Sequence, residues 1–116
     1  WRLTRSDPIS PVRRAFAVQS HYPEQFERDM ATTEAEWRLA LPRAVGAHPC
    51  SMTTDSARVQ IGAGQLQLHW RPLPPRVIAL LRLQRLAVSF RFEGVDEAAR
   101  LRFMQHFDLS TQRGGG

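Results

Sequence analysis

From Val59 to Ile61, from Leu66 to Trp70 and again from Leu86 to Phe92, an apolar side chain falls on every second residue. Only an extended strand sends successive side chains to opposite sides, so each run predicts a strand with one apolar and one polar face. Gly62, Ala63 and Gly64 separate the first two runs and make them a hairpin. Its polar face carries Arg58, Gln60, Gln65, Gln67, His69 and Arg71, and the later strand adds Arg85, Ala87, Ser89 and Arg91. A hairpin alone would leave its apolar face in water, so something must cover it.

Two regions show the helical period instead. Ser10 and Pro11 are a cap and a first-turn proline for a short helix in which Val12, Ala15, Phe16 and Gln19 share a face. Pro23 opens a second pattern, with Phe26 and Met30 one turn apart and Glu24 paired with Arg28 on the wet side. Thr33 and Glu36 form a capping box ahead of Trp37, Ala40 and Leu41. This reads as two short helices jointed near Thr32, or as one bent helix from Pro23 to about Leu41, with Gly46 as a stop. After Gly94, Asp96 and Glu97 favour a helix N-terminus, and Ala99, Phe103 and Phe107 form its stripe.

The rest is connection. Residues Ala47 to Ala57 are rich in turn formers and read as the crossing from helices to sheet. Pro72, Pro74 and Pro75 are expected to interrupt the sheet, since proline has no ladder donor. Arg76 to Arg82 reads as a third strand buried on both sides, a long bent strand across Leu83 being the alternative.

These pieces make an α+β domain: a four-stranded, mostly antiparallel sheet covered on one face by N-terminal and C-terminal helices. In a chain of 116 residues that is one domain. Residues 1–9 read as a flexible or lightly docked arm, 10–108 as the compact domain and 109–116 as a flexible tail.

Charge supplies the functional expectation. Sixteen arginines and no lysines face eleven acids, a formal net charge of +5. From Ala57 through Phe92 there are six arginines and no acid, whereas from Ser20 through Ala40 five acids face two arginines. Arg58, Arg71, Arg85 and Arg91 are expected to converge on the polar sheet face, with Arg76 and Arg82 at its rim and His69 among them. Guanidinium groups so gathered suit phosphate or carboxylate. The expectation is a non-catalytic binding or assembly domain for a small anionic ligand or an acidic protein surface. The alternatives are a homo-oligomer subunit, and a small cleft enzyme using His69 as base with Arg71 and Arg91.

Other classes lack their signatures. Nucleic acid is disfavoured because Phe90, Phe92 and Trp70 fall on the core side, where no base can stack on them. No metal site and no cofactor are expected. His21, His48, His69 and His106 are dispersed, Cys50 is the single cysteine, and Gly62–Ala63–Gly64 lacks the spacing of a phosphate loop. The longest apolar run, Val77 to Leu81, is too short to span lipid, so no membrane partner is expected. One unpaired cysteine suits a reducing, cytoplasmic compartment.

Overall fold

In chain order the elements are β1 (Gln25–Met30), α1 (Glu34–Val45), β2 (Cys50–Met52), β3 (Ser56–Ile61), β4 (Gly64–Ile78), β5 (Leu81–Glu93) and α2 (Glu97–Gly115). They come from a computed structural model that describes residues 21–115, the side chains of 112–115 excepted. The strands form one sheet in the order β1-β5-β4-β3-β2, every neighbouring pair antiparallel. Among the described residues the sheet therefore has five strands, not four. The expected short helix at Ser10 to Gln19 and the arm 1–9 lie outside the described residues.

The hairpin and the last strand form as the period of two requires. Val59, Leu66, Leu68, Trp70, Leu86, Val88, Phe90 and Phe92 are buried on one face, and both helices pack there. Trp37 of α1 meets Trp70 edge-on at 5.7 Å between ring centres, and Phe107 of α2 meets Phe90 in the same way at 5.5 Å. Each fully buried large side chain contributes roughly 1.5–3 kcal/mol. Among the described residues, the other face of the sheet carries no helix.

The fifth strand is β1, where a helix was expected. Phe26 and Met30 are four residues apart, a spacing that puts two side chains on one side of a helix and equally on one side of a strand. Arg28 decides between them, because in a strand it falls on the same side as both. It turns inward and meets Asp108 of α2, with Nη1–Oδ1 at 2.6 Å and Nη2–Oδ2 at 3.2 Å. Its guanidinium carbon also lies 5.5 Å from the centre of each of the Phe26 and Phe90 rings. Tyr22 donates to the same carboxylate at 2.6 Å.

Helix α1 opens as expected, with Thr33 and Glu36 satisfying each other's backbone amides at 3.1 Å. It runs on through Pro42 and stops at Gly46, whose φ of 67° suits glycine. The expected crossing loop contains β2, a three-residue edge strand paired with β3. Gly64 opens β4 because no side chain fits there: a Cβ would lie 2.5 Å from the Glu93 carbonyl oxygen and closer still to that of Gly94.

Pro72, Pro74 and Pro75 do not interrupt the sheet. β3 ends its pairing with β4 at Ser56 opposite His69, and the Trp70 amide still donates to the Asp55 carbonyl at 2.9 Å, but beyond Trp70 the outer edge of β4 has no neighbour needing a donor among the described residues. The β4–β5 register shifts between Leu73 and Arg76 and absorbs the last two prolines. Arg76 to Arg82 is not a buried strand. It holds the end of β4, a turn at Ala79 and Leu80, and the start of β5, and its aliphatic side chains are exposed. β5 does run on across Leu83, but it starts only at Leu81, after the turn, and does not include Arg76 to Ile78.

Candidate functional site

Strand register decides which polar side chains become neighbours on the helix-free face. Ser51 of β2 lies opposite Arg58 of β3, Arg58 opposite Gln67 of β4, Gln67 opposite Arg91 of β5, and Arg91 opposite Gln25 of β1. These five residues form one row across the sheet. Arg58 and Arg91 stand two strands apart, about 10 Å between backbones. The next row is Ser56, His69, Ser89 and Glu27, and the one after is Arg71, Ala87 and Asp29. The first two rows floor an open trough of about 1000 Å³, lined among others by Ser51, Arg58, Gln67, His69 and Arg91.

Arg58, His69, Arg71, Arg85 and Arg91 therefore share the face. Arg76 and Arg82 do not belong to the trough. They sit on the outer part of the β4–β5 hairpin, where Arg76 opposes Leu83 and Arg82 opposes Val77. By alternation along β5, Arg82 is on the side opposite Leu83 and Arg85.

The face is also less basic than an acid-free stretch from Ala57 to Phe92 suggests, because β1 brings acids beside it. Asp29 grips Arg85, with Nη2–Oδ2 at 2.5 Å and Nε–Oδ2 at 3.0 Å. Those hydrogen bonds, with the charges of Arg85 and Arg76, hold the Asp29 carboxyl below the usual range, and the same pairing raises Arg85. Glu93 lies 3.4 Å from Arg91 and accepts from Gln65 at 2.7 Å and Gln67 at 3.3 Å. Ser89 donates to Glu27 at 3.2 Å, and His69 faces Asp55 at 3.4 Å, both members of that pair more than half exposed. Arg58 and Arg71 have no hydrogen-bond or ion-pair partner among the described residues.

Reading β1 as a helix concealed Glu27 and Asp29 as members of this face. Their signal was present: from Gln25 to Met30, exposed polar residues alternate with Phe26, Arg28 and Met30. Ser51 was hidden in the expected loop. Elsewhere, His48 and His106 line one concavity of about 460 Å³ with Arg102 and Phe103, while Cys50 lies outside it and His21 pairs with Glu97. Among the described residues no group of three or more His, Cys, Asp or Glu is placed to hold a metal ion. No described helix is long and apolar enough to cross a membrane.

Comparisons of the chain with protein-family models, with curated proteins and with solved structures find no match.

Proposed function

We propose that this chain is a non-catalytic binding domain that holds a small anion, a phosphate or a carboxylate, in the trough of its helix-free sheet face. The observation that supports this is the row Arg58–Gln67–Arg91. Two guanidinium groups flank one amide, all three on rigid strands, so their side chains can close on one ligand from both sides. Among the described residues Arg58 has no competing acid, and Arg91 is held only by Glu93 at 3.4 Å. Gln67 donates to Glu93 at 3.3 Å and can turn that donor toward a ligand oxygen. His69 and Arg71 extend the site along the strands, and Arg85 is occupied by Asp29. A cytoplasmic setting belongs to the same proposal, resting on the single cysteine.

The test is a titration with inorganic phosphate, pyrophosphate and citrate followed by backbone NMR. Amides of Ser51, Arg58, Gln67 and Arg91 should shift together for at least one probe. Arg58→Gln with Arg91→Gln should weaken that probe at least tenfold, since each charge-assisted hydrogen bond is worth about 1.5–3 kcal/mol. Both positions are exposed, so circular dichroism should be unchanged. Unchanged affinity in the folded double variant, or no shift with any of the three probes, overturns the proposal.

A further inference from the structure

The β4–β5 hairpin outruns the sheet. β3 stops at the level of His69 and β1 at the level of Leu86, yet β4 and β5 stay paired as far as Ile78 opposite Leu81. The result is a two-stranded arm whose tip is apolar. Val77 is 64% exposed, Ile78 50%, Leu80 100%, Leu81 64% and Leu83 39%. Seven large hydrophobic residues are exposed among those described, and these are five of them, so the apolar surface is gathered and not scattered. Arg76 and Arg82 stand immediately behind the tip, without a hydrogen-bond or ion-pair partner among the described residues. No acid occurs from Arg71 through Phe92.

We infer that this tip docks on the surface of an anionic phospholipid bilayer. Val77 to Leu81 would enter the boundary between headgroups and acyl chains, with Arg76 and Arg82 at the level of the lipid phosphates. An interface layer offers that combination in that order, apolar beneath and anionic above, and its depth of about 5–10 Å matches two or three strand residues. Adsorption needs no membrane-spanning segment, so the shortness of the apolar run does not oppose it.

The alternatives fit less well. A second copy of the chain would bring its own Arg76 and Arg82 against these. Strand addition to the outer edge of β4 is blocked by Pro72, Pro74 and Pro75. A nucleic acid would meet aliphatic side chains with no aromatic to stack on its bases. The turn points the same way: Ala79 has a φ of 54°, where glycine is the relaxed choice, so an apolar side chain stands at every position from Val77 to Leu81.

Vesicle flotation tests the inference, using phosphatidylcholine vesicles with and without phosphatidylglycerol. Binding to the anionic vesicles is expected, weakening as salt is raised. Leu80→Asp with Leu81→Asp should lower it more than tenfold, and Arg76→Gln with Arg82→Gln by about tenfold or more. These side chains are mostly in solvent, so the fold should survive, which circular dichroism checks. Leu80→Asp with Leu81→Asp should leave the anion titration of the trough unchanged, since neither residue lines it, which separates the two surfaces. No binding to anionic vesicles overturns the inference. So does undiminished binding by the Leu80/Leu81 variant, or equal binding to neutral vesicles. So too does a concentration-dependent dimer that the Leu80/Leu81 substitutions dissolve while vesicles are ignored.

Discussion

Removing the Asp108 carboxylate should destabilise the domain by about 2–3 kcal/mol. Asp108→Ala takes three hydrogen bonds at once, two from Arg28 at 2.6 and 3.2 Å and one from Tyr22 at 2.6 Å. It also leaves a guanidinium without its counter-charge. The side chains of Arg28 and Asp108 are 26% and 24% exposed, so the pair belongs with partly buried ones. Exposed pairs contribute about 0–1 kcal/mol, and breaking fully buried ones costs about 3–5 kcal/mol. A cost between the two ranges, about 2–3 kcal/mol, applies, because Arg28 keeps its contacts with the rings of Tyr22, Phe26 and Phe90. In urea, with a slope of about 1.5 kcal/mol/M, the unfolding midpoint should fall by about 1.3–2 M. Hydrogen exchange should show where the loss lands: amides of β1 should be exposed before those of β3, since the pair ties β1 to α2. Replacing Arg28 by Met, Asp108 by Leu and Tyr22 by Phe together should restore most of the stability. A loss below about 0.5 kcal/mol for Asp108→Ala would refute the reasoning, because the pair would then behave as a solvated one.

Two further outcomes follow from the same packing. Tyr22 is the only tyrosine in the chain, and burial, then the hydrogen bond to Asp108 and its charge, push its pKa up to about 12. The tyrosinate absorbance of the folded protein should rise near pH 12. The unfolded chain loses this proton near pH 10, so the stability held by the neutral phenol should be intact below about pH 10 and decline between there and pH 12. A folded-state midpoint near 10 would contradict the burial of Tyr22. Gly64→Ala should be strongly destabilising, by more than about 2 kcal/mol, because the new methyl meets backbone oxygens that cannot turn away. A thermal melt within a degree or two of the parent would show that the Glu93–Gly94 segment can shift.

How much of this could be read from the residues depends on whether one side chain settles the period. From Val59 to Trp70 and from Leu86 to Phe92 the alternation runs through four or more apolar positions, and no helix satisfies it. From Gln25 to Met30 only Phe26 and Met30 are clearly apolar, and their spacing suits helix and strand alike. The strand identity of β1 lies in the inward Arg28, whose partner Asp108 is 80 residues away. No local pattern reveals such a pair. The prolines misled for a related reason: the rule against proline in a sheet concerns strands with neighbours on both sides, and whether β4 has a second neighbour is set by where β3 ends. The trough was legible as a face, since Arg58 and Arg91 have the expected phase. Its acids were not, because they arrive on the strand that was not recognised.

The six arginines of β3, β4 and β5 are thereby sorted into two surfaces of different shape. On the sheet face Asp29 takes up Arg85 and Glu93 approaches Arg91, leaving Arg58 and Arg71 unanswered among the described residues in a polar, concave setting. On the arm Arg76 and Arg82 stand beside a convex, aliphatic tip. A concave polar floor can surround a small anion and replace its hydration, but it offers nothing to an apolar partner. A convex apolar tip cannot surround a small ion, and the bilayer surface inferred for it is extended and anionic and also accepts leucine. Charge alone would assign both regions the same partner; the side chains between the arginines, Gln67 in one and Leu80 with Leu81 in the other, are what separate them.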